Sequence, residues 1–190
     1  TERVDGLFWA EFTTGGTITR VAVATMGTSF LKMDSLDGTW DDATGGVTIT
    51  SGNHVAYETF NTTLFMTNQT DAPIKWVTGD TASAASVPTG LTKTKFVCQF
   101  NNYLFYGNVT VSGLNYPTRI YWSAIRDPAT WSATAWIEVS RDDGQEITGL
   151  KVLGDRLVIY KEKSIYNLFF TGDADIAFVL PGGGKSNSNV

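Results

Sequence analysis

The chain repeats one hydrophobic and polar pattern four times: apolar residues end a predicted strand, a short turn of small polar residues follows, and apolar residues resume. Gly, Asn and Asp tolerate the backbone dihedrals of tight turns, so each copy predicts a β-hairpin. The spacing of the copies is close to the roughly 40–50-residue unit of a β-propeller blade. The copies are Met26-Gly27-Thr28-Ser29-Phe30, Phe60-Asn61-Thr62-Thr63-Leu64, Phe100-Asn101-Asn102-Tyr103-Leu104 and Leu153-Gly154-Asp155-Arg156-Leu157.

A further apolar segment follows each of the last three hairpins, namely Ile74-Lys75-Trp76, Ile120-Tyr121-Trp122 and Ile165-Tyr166-Asn167. Large apolar residues on opposite sides of the pleat suit a sheet that is covered on both faces, as a propeller blade is by its neighbours. The pattern therefore predicts an all-β fold: a β-propeller or partial propeller of roughly four blade-like antiparallel sheets. A β-sandwich is the alternative, since it also consists of short strands with frequent turns.

Helix is expected to be scarce, because no stretch of the chain keeps a helical period and the aromatic content of 13% favours strands. The best helical candidate is Ser123 to Trp131. It contains Asp127-Pro128, which allows little more than one turn, with Asp127 as the cap and Pro128 in the first position.

Two regions differ in composition. Residues 1–180 are predicted to form the propeller-like segment of a longer polypeptide, because the chain opens with Thr1-Glu2-Arg3 and lacks an initiator Met. Residues 181–190 are rich in Gly, Ser and Asn, which predicts a flexible linker.

Charge limits the kinds of partner. The net charge is −5 and only 17% of the residues are charged. Tight binding of nucleic acid depends on the neutralisation of phosphates by Lys and Arg, so this composition argues against it.

Candidate catalytic chemistry is sparse. His54 is the single histidine, which excludes a multi-histidine metal site, and it is predicted to lie at the surface or at a strand edge. Cys98 is the single cysteine and lies in an apolar strand, so it is predicted to be a small buried hydrophobe. We therefore predict no catalytic residue, no cofactor and no metal.

The carboxylates occur in three clusters, none of which has the spacing of an EF-hand loop. Ser35 to Trp40 has the composition of the Asp-box turn of sialidase-type propellers but not its spacing, and a solvated turn is favoured. A propeller glycoside hydrolase needs two converging carboxylates, whereas the predicted strands carry theirs singly. The clusters are Asp34, Asp37, Asp41 and Asp42, then Asp142, Asp143 and Glu146, then Asp173 and Asp175; the strand carboxylates are Glu11, Glu58 and Glu138.

The most distinctive segment begins at Ile120. Trp122 ends a predicted strand and is followed by Ser123, Asp127-Pro128 turns the chain, and Trp131 folds back as an apolar cover for the blade edge. The stretch Glu146-Ile147-Thr148-Gly149-Leu150 then begins the next blade, whose third strand contains Tyr166.

This order of elements resembles the propeller-forming virion structural proteins of tailed bacteriophages, including the tail nozzle proteins of short-tailed phages. The resemblance covers Ile120 to Gly172, and the first hundred residues match only as generic blades. It rests on structural-motif residues, namely Trp122, Ser123, Asp127, Pro128, Trp131, Gly149 and Tyr166. These motifs are structural rather than catalytic.

The resemblance implies a non-enzymatic component of the virion tail that is made in the host cytoplasm. It implies a ring of identical subunits beside neighbouring portal and tail proteins, with DNA passing through the lumen without specific binding and with no membrane contact. One alternative is a carbohydrate-binding or host-receptor-binding tail module, because the chain has 6 tryptophans that could stack on sugars. A propeller glycoside hydrolase is the third candidate.

Overall fold

The structure is a computed structural model that describes residues 3–33, 38–173, 176–181 and 184–186, the last three by their backbone. Apart from a 3₁₀ turn at Arg141–Asp143, the elements in these residues are strands. The strands are β1 (Val4–Thr14), β2 (Thr17–Met26), β3 (Ser29–Met33), β4 (Asp41–Asp42), β5 (Ala56–Phe60), β6 (Thr63–Thr67), β7 (Ile74–Val77), β8 (Ser83–Ala84), β9 (Leu91–Phe100), β10 (Tyr103–Val111), β11 (Leu114–Trp122), β12 (Trp136–Val139), β13 (Ile147–Leu153), β14 (Arg156–Lys161), β15 (Ile165–Phe170), β16 (Phe178–Val179) and β17 (Gly184–Ser186).

In the described residues these strands form four antiparallel sheets. Sheet 1 contains β1 to β4, sheet 2 contains β5 to β8, and sheet 4 contains β13 to β16, each in sequence order. Sheet 3 contains β9 to β12 and is extended at β12 by β17. The all-β prediction with four blade-like antiparallel sheets is confirmed.

All four predicted hairpins are present, each closed by a two-residue turn. The first copy differs in its place, because it joins the second and third strands of sheet 1, whereas the others join a first strand to a second. The equivalent turn of sheet 1 is Gly15-Gly16, between paired Thr14 and Thr17. Both glycines have positive φ, 57° and 82°. The pattern missed this turn because threonines, and not large apolar residues, flank it.

The sheets stack in sequence order, with an apolar core between each consecutive pair. Phe12 and Phe30 of sheet 1 share a core with Trp76 of sheet 2. Phe65 of sheet 2 shares the next core with Tyr106 of sheet 3. The third core lies between sheets 3 and 4 and includes Phe105, Ile120, Ile159 and Leu168.

The main close backbone approaches between neighbouring sheets involve a first strand: β1 approaches β5, β5 and β6 approach β9, and β9, β10 and β11 approach β13. The sheets therefore converge at their first strands, as propeller blades do. Within the described residues no core joins sheet 4 to sheet 1. Four antiparallel sheets with successive cores are consistent with a propeller-like or a sandwich arrangement. Among the described residues, no other sheet packs on the second face of sheet 1 or of sheet 4.

Part of the predicted linker forms sheet. Gly184–Ser186 pairs antiparallel with β12, so that Ile137 lies opposite Ser186 at the outer edge of sheet 3. Residues 182–183 and 187–190 lie outside the described residues. The division at residue 181 stays a prediction.

The scarcity of helix is confirmed in the described part of the chain. Ser123 to Trp131 forms turns and not a helix, with an isolated bridge between Ala124 and Asp127. The Asp127 Oδ1 atom accepts a hydrogen bond from the Ala129 N–H at 2.9 Å. This bond stabilises the turn in the way that an Asx turn does.

Candidate functional site

The structural-motif residues lie on both sides of the connection between sheets 3 and 4. Trp122 ends β11, and its ring is 5.3 Å from that of Phe178 of sheet 4. Ser123 is buried; its N–H donates to the Leu104 carbonyl at 2.9 Å, and its Oγ accepts from the Leu104 N–H at 3.0 Å. Pairing with β10 therefore continues one residue beyond the end of β11.

Trp131 returns to the sheet after the Asp127-Pro128 turn. Its Nε1–H donates to the Pro128 carbonyl at 3.1 Å, and its ring stacks on Tyr106 at 5.0 Å with an interplanar angle of 11°. It is partly buried and packs against the core between sheets 2 and 3, so it covers a face of the blade. Hydrogen bonds from the Thr130 side chain and from the Ala129 N–H lower the pKa of Asp127.

Gly149 and Tyr166 belong to sheet 4. Gly149 lies in β13 opposite Tyr160. A Cβ atom at position 149 would lie 3.4 Å from Tyr160 Cδ2, an ordinary van der Waals distance. Tyr166 lies in β15 and packs against the core between sheets 3 and 4, and its hydroxyl is 3.5 Å from Asp143 Oδ2.

A buried lysine, which the sequence analysis did not single out, anchors the same connection. Lys161 Nζ is fully buried and donates to the Val139 carbonyl at 2.9 Å, the Ser140 carbonyl at 3.0 Å and Asp143 Oδ1 at 2.6 Å. Its three N–H donors are therefore satisfied. The alternation of inward and outward residues along β14 could have shown that Lys161 is buried. Lys161 lies on the same side of this strand as the core residues Leu157 and Ile159.

The carboxylate of this cluster is held in its charged form. Partial burial opposes the charge of Asp143, but hydrogen bonds from Lys161 and from the Gln145 N–H lower its pKa on balance. Gln145 Oε1 in turn accepts from the Lys163 N–H at 2.7 Å and from Ser164 Oγ at 3.2 Å. These bonds attach the connection between sheets 3 and 4 to the β14–β15 hairpin. The cluster of Lys161, Asp143 and Gln145 therefore has a structural role.

A second ion pair lies within sheet 3. Glu138 Oε1 accepts from Arg119 Nη2 at 2.7 Å, and Glu138 Oε2 accepts from the Thr118 hydroxyl at 2.5 Å. The Arg119 guanidinium lies between the rings of Tyr116 and Trp136, at 3.8 and 3.9 Å from their centres. Both carboxylate oxygens of Glu138 therefore have donors within sheet 3.

Glu58 and Cys98 lie where the first strands converge. Burial raises the pKa of Glu58, although the Gln99 N–H and the charge of Lys151 oppose this effect. Burial raises the pKa of Cys98 to about 12, and the nearby Glu58 makes a smaller contribution in the same direction. Cys98 is 2% exposed, which confirms the prediction that it is buried. A thiol with this pKa remains protonated at neutral pH and is a poor nucleophile.

We expect the substitution Glu58→Gln to stabilise the protein more at pH 7 than at pH 4. The raised pKa of Glu58 means that the folded state keeps a proton which the unfolded state releases above about pH 4.3. The contribution of Glu58 to stability therefore falls as the pH rises above this value, and glutamine removes this titration. Melting temperatures at both pH values test this, with the exposed Glu162→Gln as the control. An equal effect of Glu58→Gln at both pH values would contradict the expectation.

The other predicted positions are dispersed. His54 is exposed, as predicted. Asp34, Asp37 and Asp175, and Ser35 and Leu36 of the Asp-box-like turn, lie outside the described residues. In residues 3–33, 38–173 and 176–181, no group of three His, Cys, Asp or Glu side chains is arranged to hold a metal ion. Glu146 is 3.6 Å from Lys95 Nζ and accepts from Asn108 Nδ2 at 2.8 Å.

The strongest candidate for a functional surface is the pair of uncovered sheet faces. We call the side of sheet 1 that carries Leu7, Trp9 and Ile18 the sheet-1 outer face; these residues are 68%, 44% and 55% exposed. The side of sheet 4 that carries Leu153, Tyr160, Ile165 and Val179 is the sheet-4 outer face. Exposed apolar neighbours, such as Leu7 with Trp9 and Tyr160 with Ile165, occur at surfaces that contact a partner.

Comparison with known proteins does not assign the chain to a family: no protein-family model matches it, and no curated protein matches it. Across the described ranges, no helix is long and apolar enough to span a lipid bilayer.

Proposed function

We propose that the chain is a non-enzymatic structural component of a bacteriophage virion, built into the tail as part of a nozzle-like ring that continues the DNA channel. The observation that carries this proposal is the pair of uncovered outer faces at the two ends of the stack, since an assembly module must offer apolar surface to its neighbours. The resemblance of residues 120–172 to propeller-forming tail proteins supports the phage setting.

The use of charged residues within the sheets also supports a structural role. The Lys161–Asp143 pair attaches a connection to a hairpin, and the Arg119–Glu138 pair links neighbouring strands. Both carboxylates are taken up by internal donors. The net charge of −5 leaves little affinity for phosphate, which suits a lumen through which DNA passes.

Exposed tryptophan favours a second candidate, a carbohydrate-binding or receptor-binding tail module. Trp9 is 44% exposed and Trp40 is 38% exposed, so each offers ring surface on which a sugar could stack. Trp76 is 1% exposed, and Trp131 and Trp136 pack against the core between sheets 2 and 3. In this candidate function, Trp9 and Trp40 would therefore be the main rings on which a sugar stacks.

The proposed function is tested on purified phage particles from the source of this chain. An antibody against the chain, coupled to gold, should label the tail in negatively stained particles, and peptides of the chain should be found in those particles by mass spectrometry. Antibody absorbed beforehand with the purified chain is the control. Absence of the chain from particles would overturn the proposal. Glycan binding that quenches Trp9 fluorescence, and that Trp9→Ala abolishes, would favour the second candidate.

A further inference from the structure

A cleft of about 670 Å³ lies at the outer edge of sheet 2, where β8 is the last strand. Residues 46–48, residues 70–74 and β8 line it. This volume falls within the ~300–1,000 Å³ that is typical of ligand sites. We propose that this cleft, which we call the β8 cleft, binds an extended peptide segment of another protein as an added strand of sheet 2. Such a site goes beyond the proposed function and does not depend on it.

The backbone of β8 has an unpaired outer side. The Ala85 N–H donates to the Pro73 carbonyl at 2.9 Å, on the side of β7, whereas the Ala82 N–H donates away from β7, to the Ala43 carbonyl at 2.7 Å. Successive residues of a strand direct their backbone groups to opposite edges. Ala84 therefore directs its N–H and its carbonyl away from β7, and in the described residues neither group has a hydrogen-bond partner. Groups of this kind pair with an added strand.

The opposite wall of the β8 cleft is held in place at both of its ends. At one end a Cβ atom at Gly45 would lie 2.8 Å from the Ala82 carbonyl oxygen, so the two segments are in contact there. At the other end the Thr50 N–H donates to Asp71 Oδ2 at 2.6 Å. Residues 46–48 connect these two points without belonging to a strand. The cleft is therefore bounded on both sides in the chain alone.

Backbone on this wall is also available for pairing. Gly46 and Thr48 have no hydrogen bond in the part of the chain that the structure describes. A Cβ atom at Gly46 would meet no atom within 4 Å. An extended guest thus meets open backbone on both sides, with Ala84 on one side and residues 46–48 on the other. Open backbone on two sides favours a peptide over a small molecule.

Sheet 3 provides an example of strand addition in this chain. Its fourth strand, β12, pairs on its outer side with Gly184–Ser186, which come from a distant part of the sequence. The outer side of a fourth strand therefore accepts a further strand in this fold. β8 is the fourth strand of sheet 2, and its outer side has no such strand within the described ranges.

Asp71 determines the charge that the guest should carry. It is the one charged side chain among the residues that line the β8 cleft. Its carboxylate accepts from the Thr50 N–H, from the Thr50 hydroxyl at 2.8 Å and from Asn68 Nδ2 at 2.7 Å, all of which are neutral donors. Across the residues that the structure describes, it has no Lys or Arg partner. A guest with a lysine or arginine beside Asp71 supplies the missing positive charge.

The probe is an array of short peptides that alternate threonine with a variable apolar residue and carry a lysine at the centre. We expect the labelled chain to bind peptides of this array, and to bind the matched array with a central glutamate about tenfold less tightly, because a carboxylate then faces Asp71. The best lysine peptide is titrated into isotope-labelled chain, where the amide signals of Ala84 and Thr48 should shift in nuclear magnetic resonance spectra. Methylation of the backbone nitrogens of the peptide removes its donors and should abolish these shifts.

The substitution Ala84→Pro tests the pairing with β8. Proline removes the outward N–H at this position without removing a bond to β7, so the fold should be retained. The dissociation constant of the lysine peptide should rise about tenfold, because one donor is lost and the proline ring lies in the path of the guest. Asp42→Pro is the matched control, since β4 is likewise a two-residue outer strand and Asp42 does not line the cleft. Circular dichroism verifies that each variant is folded.

The substitution Asp71→Asn tests the charge, and it should remove the preference for the lysine peptide over one with a central glutamine. Absence of binding across the lysine array, equal binding of the methylated peptide, an unchanged affinity of Ala84→Pro, or a lysine preference that persists in Asp71→Asn overturns the inference. Association of the chain with itself that Ala84→Pro abolishes also overturns it, because the guest is then a second copy. None of these results depends on whether the chain is found in virions.

Discussion

Replacement of Trp76 by alanine is expected to lower the free energy of unfolding by about 3–5 kcal/mol. Trp76 is 1% exposed, and the rings of Phe12 and Phe30 contact it edge-on at 5.7 and 5.5 Å. Alanine would leave a cavity in the core that joins sheets 1 and 2. It would also remove the hydrogen bond from Trp76 Nε1 to the Asp80 carbonyl, at 2.9 Å.

Urea unfolding of Trp76→Ala, followed by circular dichroism, measures the loss. Trp40→Ala is the matched control, because Trp40 is 38% exposed and its removal should cost about 0.5 kcal/mol or less. Trp76→Phe retains most of the ring contacts and should fall between the two. Equal costs for Trp76→Ala and Trp40→Ala would show that sheets 1 and 2 do not pack around Trp76.

Replacement of Lys161 by methionine is expected to cost about 3–5 kcal/mol, because it removes one partner of a buried ion pair. Two backbone carbonyls and the Asp143 carboxylate would lose their donor. The double variant Lys161→Met/Asp143→Asn should recover part of the loss, since it no longer leaves a carboxylate without its cation.

Arg20→Met is the control for the lysine variant. The Arg20–Glu11 and Lys161–Asp143 pairs both have an N–O distance of 2.6 Å, but the side chains of the first pair are 56% and 51% exposed and those of the second are 0% and 19% exposed. An exposed pair contributes about 1 kcal/mol or less, so Arg20→Met should have a small effect in the same urea experiment. Similar costs for the two variants would mean that burial does not strengthen the Lys161 contact.

The lysine variant should also change the response to acid. The pKa of Asp143 is lowered in the folded chain, so its ionised form contributes stability above the ordinary Asp pKa of about 3.9. That contribution is lost as the pH falls below this value. In Lys161→Met the hydrogen bond and the charge of the lysine are absent, and the urea midpoint should therefore fall less steeply with acid than in the wild type.

Local pattern was sufficient to predict much of the fold. The turn at Asn101-Asn102 is flanked by apolar residues, and both asparagines adopt positive φ, 47° and 63°. Because a hairpin forms between neighbouring residues, its signal is contained within a few positions. The same local reasoning did not show that the first copy joins the second and third strands of its sheet, because the preceding turn, Gly15-Gly16, lacks apolar flanks.

The candidate site was less accessible to local pattern, because its contacts join distant residues. Lys161 meets a carboxylate 18 positions earlier in the chain. Asp5 Oδ2 accepts from the Gly52 N–H, 47 positions away, at 2.8 Å. Alternation shows that Lys161 faces inward, but it does not show which carboxylate lies opposite.

The sequence by itself determined the strands, the turns and the side of each strand that is apolar, because these depend on residue type and on a period of two. Only the tertiary structure decided which apolar sides are covered and which charges meet. Leu7 and Phe12 are both large and apolar on one strand, yet Leu7 is 68% exposed and Phe12 is 2% exposed. The difference lies in whether another sheet is stacked on that side, and stacking is a property of residues far apart in the chain.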